Sequence, residues 1–194
     1  GGYTAYGFSD HEWKYGLNAE YLLNKNPRKR LAIDYFHDVK QLGKSDNALL
    51  DDNFLTTILR RRPNYKLTMV NYSSLAYERE WFQGFSNTFK VSYGEVFPTE
   101  YIPFETFNDE GDAVSLHSIK RTEFTLKTHF AYQEKFLLGR FDRVSLGSIY
   151  PTLDLELGYA PKGLLGADYE YFKLKLQMSD KLELNPLGYS RYRI

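Results

Sequence analysis

Trp13-Lys14-Tyr15-Gly16-Leu17-Asn18-Ala19-Glu20-Tyr21-Leu22-Leu23 places an apolar side chain at every odd position and a polar residue or glycine at nearly every even one. Successive side chains of a strand point to opposite faces, so the stretch reads as a β-strand with one apolar and one polar face. Its length is that of a tilted strand crossing a bilayer, about 9–11 residues.

The same alternation returns along the chain. Leu31, Ile33 and Tyr35 oppose Ala32, Asp34 and Asp38, with Phe36 and His37 blurring the pattern. Leu67, Met69, Leu75 and Tyr77 share one face of a stretch over 66–80, and Phe85, Phe89, Val91 and Tyr93 alternate with Ser86, Thr88, Lys90 and Ser92. Phe124, Leu126 and Phe130 alternate with Glu123, Thr125, Lys127 and His129. Leu153, Leu155, Leu157 and Tyr159, then Phe172, Leu174, Leu176 and Met178, repeat the pattern against charged partners. Residues 9–12, 24–29, 81–84 and 185–186 carry turn residues.

Long connections are expected over 40–65 and 98–118. Residues 134–151 break the regular spacing, with a short strand predicted over 143–148. Within 40–65, Asp51-Asp52-Asn53 caps a predicted short helix with Leu50, Phe54, Leu55, Ile58 and Leu59 on its apolar side. Arg60-Arg61-Arg62 falls in its last turn and Pro63 stops it.

The chain of 194 residues balances 25 basic against 25 acidic side chains, so nothing in its charge points to nucleic acid. The lack of cysteine excludes a disulfide scaffold and thiolate metal sites. Aromatics reach 17%. Many gather near strand ends: Trp13, Tyr15 and Tyr21; Trp81, Phe82 and Phe85; Tyr159. Amphipathic rings favour membrane–water boundaries, so these seven are candidate interface residues. No apolar run approaches the roughly 18 residues of a transmembrane helix.

Alternation alone fits two architectures. A soluble lipocalin-like barrel is apolar inside and binds an apolar ligand, whereas a membrane barrel is apolar outside. The aromatic strand ends, and mixed charges such as Arg121, Glu123, Lys127, Asp154, Glu156 and Lys173 on polar faces, favour the membrane arrangement. The expected fold is all-β: an antiparallel up-and-down transmembrane β-barrel with roughly 9–10 strands present. Both ends read as strand, so residues 1–194 are expected to be one partial barrel domain cut from a longer chain.

Little chemistry is written in the residues. His11, His37, His117 and His129 lack zinc-site spacing. Asn108-Asp109-Glu110-Gly111-Asp112 lacks the ligand ladder of a calcium loop and reads as a solvated turn. Arg60, Arg61 and Arg62 are candidates to grip lipid phosphate or to complement a helix end. Gly163-Leu164-Leu165-Gly166 reads as a turn. No serine-nucleophile motif is present, and no catalytic, cofactor or metal residue is assigned.

Several blocks resemble a family of Gram-negative outer-membrane proteins of unassigned function. They are Gly2–Phe8 with Glu12–Gly16, Arg60–Asn64 with Lys66–Met69, Glu80–Asn87, Phe141–Gly147, Gly163–Gly166 and Pro186–Tyr192. The resemblance implies a chain with an N-terminal carboxypeptidase-regulatory-like domain and a large C-terminal barrel, of which these residues are part. It implies an outer-membrane location in contact with lipid, lipopolysaccharide and other envelope proteins, and a structural, assembly or envelope-organising role without catalysis. A polar-lumen transport pore stands as the alternative, beside the soluble barrel.

Overall fold

The computed structural model describes residues 1–8, 10–41, 67–99, 102–107, 112–139, 143–183, 186 and 188–194. The predicted helix, Arg60, Arg61 and Arg62, and residues 108–111 of the acidic loop lie outside them.

Nine strands form one antiparallel sheet. In sheet order they are β1 (Gly2–Tyr6), β2 (Trp13–Lys25), β3 (Arg28–Gln41), β4 (Leu67–Phe82), β5 (Phe85–Val96), β8 (Ile119–Ala131), β11 (Thr152–Ala160), β12 (Tyr171–Glu183) and β13 (Tyr189–Arg193). Each pairs with the strand beside it in chain order, apart from two small hairpins in the connections. These are β6 (Glu105–Phe107) with β7 (Ala113–Ser115), and β9 (Lys135–Leu138) with β10 (Arg143–Gly147). The all-β, up-and-down antiparallel expectation therefore describes the sheet. Its ends β1 and β13 each pair with one neighbour, so among the described residues the sheet is open and not a closed barrel.

Register explains why the alternation is so regular. Leu75, Val91, Phe124, Tyr159 and Phe172 lie in one cross-strand row. One residue along, Ser74, Ser92 and Glu123 make a polar row. A slip of one residue would exchange the two faces completely. Phe36 and His37 break the pattern by swapping expected sides. Phe36 stacks on Tyr72 at 4.9 Å beneath the Lys40 ammonium, while His37 pairs with Asn71 on the other face.

Burial is inverted relative to a water-soluble sheet. Threonine, serine and glutamate side chains of the polar face are covered: Glu80 is 4% and Glu123 6% exposed. Leucine, phenylalanine, tyrosine and tryptophan of the other face are open, Leu176 at 69%. The only buried apolar side chains among the described residues are Val70, Ala131, Ala160 and Ala167.

Several expected turns are tighter than the residue order suggested. Trp81 and Phe82 belong to β4, and only Gln83-Gly84 turns. Gly84 sits at φ 85°, where a Cβ would meet the Ala131 carbonyl oxygen at 2.0 Å. The expected turn over 24–29 shrinks to Asn26-Pro27 because a bulge after Leu22 carries the β2–β3 ladder to Lys25 and Arg28. The strand expected over 143–148 is β10, and it pairs with β9, which the irregular pattern of 134–151 does not reveal. Connections 7–12, 42–66, 97–118 and 161–170 leave one end of the sheet. Connections 26–27, 83–84, 132–151 and 184–188 leave the other.

Candidate functional site

The polar face carries the chemistry. Arg30 on β3 lies between two acids: Nη1 donates to Glu20 at 2.9 Å, and Nε and Nη2 donate to Glu78 at 3.1 and 2.7 Å. Glu80, near the end of β4, accepts from Arg143 Nη1 at 2.8 Å on both oxygens and from the Arg28 backbone N–H at 3.2 Å. Arg143 comes from β10, and its guanidinium lies 3.7 Å above the Phe136 ring of β9. The β9–β10 hairpin thus leans over the polar face at the tight-turn end. Gln83 Nε2 donating to the Glu134 carbonyl at 2.6 Å ties the same connection down. A cavity of about 460 Å³ lies there, between Leu22, Pro27, Arg28, Glu80, Phe136 and Arg143.

A second network spans β8, β11 and β12. Lys173 bridges Glu123 at 2.8 Å and Glu156 at 2.9 Å, while Lys127 and Lys175 stand 3.3 and 3.9 Å from Glu156. Thr125 and Tyr171 hydroxyls also donate to Glu123. Beside them His129 sits with Nδ1 2.7 Å from Asp154 and Nε2 3.1 Å from Glu134. Gly158 makes the crowding possible, since a Cβ there would meet Lys173 Cε at 2.9 Å. In the connection before β2, Asp10 accepts from Lys14 Nζ of β2 at 2.5 Å, which holds that carboxyl below its usual range.

The seven candidate interface aromatics all belong to the main sheet, in two groups. Trp13, Tyr15 and Tyr159 lie toward the long-connection end, Tyr15 packing on Tyr35 and His37. Tyr159 donates its hydroxyl to Glu170 at 2.9 Å. Tyr21, Trp81, Phe82 and Phe85 lie toward the tight-turn end. There Trp81 Nε1 donates to Asn87 at 2.8 Å beneath the Arg79 guanidinium, and Phe82 stacks on Phe85 at 5.1 Å. Of the four histidines, His129 alone sits in the charged network; His37 pairs with Asn71, His11 lies 3.4 Å from the Tyr6 hydroxyl, and His117 packs on Phe97.

The whole chain, residues 1–194, matches the C-terminal domain of a family of unknown function (DUF5686). The chain belongs to that family. No curated protein and no solved structure matches it.

In this DUF5686 C-terminal domain the described networks join charged side chains to one another. The Ser145 hydroxyl bonds Glu134, not His129, so no serine–histidine pair forms there. The two His129 nitrogens face carboxylates on different sides of the ring, which do not converge on one ion. The Arg143–Glu80 pair is hidden in the sequence because its members stand 63 positions apart, and Glu134 because it lies in the irregular 134–151 stretch. The available signal was parity: Glu78, Glu80, Arg28 and Arg30 all occupy polar-face positions.

Proposed function

We propose that this chain is part of a transmembrane β-barrel of the Gram-negative outer membrane, in a structural, assembly or envelope-organising role without catalysis. The observation that carries the reading is the inverted burial. Leaving a side chain such as Leu174, Leu176 or Phe172 in water forgoes about 1.5–3 kcal/mol each. Ten such residues amount to about 15–30 kcal/mol, at or above the whole net stability of an ordinary domain, about 5–15 kcal/mol. Lipid against that face removes the cost, and the charged networks then line the lumen side.

The outline of the apolar band supports the same reading. Toward the tight-turn end of this face the first charged side chain is Arg79 on β4 but Asp180 on β12, two side-chain rows lower across four strand steps, and the rings of Phe82, Phe85 and Phe130 lie beyond the Arg79 row. That is one residue per strand, which at about 3.3 Å per residue and 4.8 Å per strand is a tilt of roughly 35°. Strands of membrane barrels tilt by about 35–45°. Tight turns of such barrels face the periplasm, which would put the β9–β10 hairpin on the periplasmic side. The polar cavities favour the transport pore as the second reading. What tells against a lipocalin-like barrel is that the polar face, not the apolar one, is covered.

The deciding experiment is heat-modifiability of the full-length protein from the outer-membrane fraction. A gel shift between unheated and boiled samples is expected; a soluble protein with no shift would overturn the reading. In vesicles, lipid-bound quenchers should quench Trp13 and Trp81. Bilayer conductance separates pore from closed barrel.

A further inference from the structure

Among the described residues, cations outnumber anions on the polar face of β8, β11, β12 and β13. Lys127, Lys173 and Lys175 share the Glu156 carboxylate, and Lys173 must also serve Glu123. Arg193 has no carboxylate partner among the described residues. Lys127, Lys175 and Arg193 line a cavity of about 620 Å³ together with Ser86, Thr88 and Gln177. The side chains of Ser86, Thr88 and Gln177 also lack any hydrogen-bond partner among the described residues. The two acids at this wall are engaged, Asp154 by His129 and Glu156 by the lysines.

Such a wall carries more cations than acids, beside hydroxyl and amide groups that no described neighbour engages. Water can take the hydrogen bonds but cannot offset the surplus positive charge. An oxyanion does both, with charge-assisted bonds about twice as strong as neutral ones. We propose that this cavity is a binding site for a small soluble oxyanion, a phosphate- or carboxylate-bearing organic solute. The volume lies within the roughly 300–1,000 Å³ range of small-molecule sites and exceeds what a bare phosphate needs. The cavity opens on the polar face, with the sheet between it and the apolar face, which selects a water-borne solute over a lipid headgroup. The site depends only on the polar face, whatever bathes the other.

The test is calorimetric titration of inorganic pyrophosphate into the full-length protein in neutral detergent. Saturable binding is expected, weakened at high chloride. Lys175→Gln and Arg193→Gln should each weaken it roughly tenfold, Lys175→Arg should restore it, and Lys29→Gln on the apolar face should leave it unchanged. The heat-modifiable gel band checks the folding of each variant. No saturable binding, or parental affinity in folded Lys175→Gln and Arg193→Gln, would overturn the site. Displacement of pyrophosphate by phosphatidylglycerol in the micelle would overturn the water-borne assignment. A heat-modifiable protein that does not bind sinks the site and keeps the barrel; a protein that binds without a gel shift does the reverse.

Discussion

Gly16 shows how much a single polar-face position can decide. It lies directly opposite Tyr3 in the β1–β2 ladder, and a Cβ there would stand 2.4 Å from the Tyr3 ring. The bare glycine lets the ring lie flat across β2 so that its hydroxyl donates to Asp38 of β3 at 2.6 Å. Gly16→Ala should push the ring away, break that bond and cost about 1–2 kcal/mol. The loss would be read as a lower temperature for the gel-shift transition of the full-length protein. Gly94→Ala is the control: its Cβ would meet Tyr72 at an ordinary 3.9 Å, so the change should stay within about 0.5 kcal/mol. In the sequence Gly16 was merely an even position in an alternating run. Its partner ring, thirteen positions earlier, becomes visible only once β1 is paired.

At the scale of elements, strands with two different environments were legible and short hairpins were not. Trp13–Leu23 and 153–159 reveal themselves because their two faces must satisfy different surroundings, which imposes period two on the residue order. The β9–β10 hairpin answers to no such constraint; Phe136 lines a cavity, while Leu137, Leu138 and Val144 are all open. Trp81 and Phe82 read as a turn because an aromatic pair beside Gly84 mimics one, whereas a bulge after Glu80 keeps both in the strand. What holds the hairpin is a long-range ion pair. Arg143→Ala would leave Glu80 covered, with only the Arg28 N–H among its hydrogen bonds, at a cost of about 3 kcal/mol. Limited proteolysis should then cut within 135–147 in the variant and spare the parent. Glu80→Gln should be milder, because a neutral amide oxygen still accepts from Arg143. Equal protease resistance in Arg143→Ala and parent would mean the pair does not anchor the hairpin.

At the scale of the molecule, tilt makes a prediction that no single strand contains. Arg79, Asn87, Thr128, Leu155 and Leu176 form one hydrogen-bonded row on the apolar face. In a sheet with upright strands all five would sit at one depth, and arginine at the first would license arginine at the last. With strands tilted by roughly 35°, the row climbs across the band. Arg79 then lies at the boundary with Trp81, and Leu176 lies inside, above Met178 and Asp180. Leu176→Arg should therefore cost about 2–4 kcal/mol, the penalty of a cation near the bilayer midplane. Arg79→Leu should change stability by less than about 1 kcal/mol, as expected near the interface. Both values come from denaturant titration of the refolded full-length protein in vesicles. Similar penalties would remove the tilt argument, and a Leu176→Arg variant as stable as the parent would remove lipid from that face altogether.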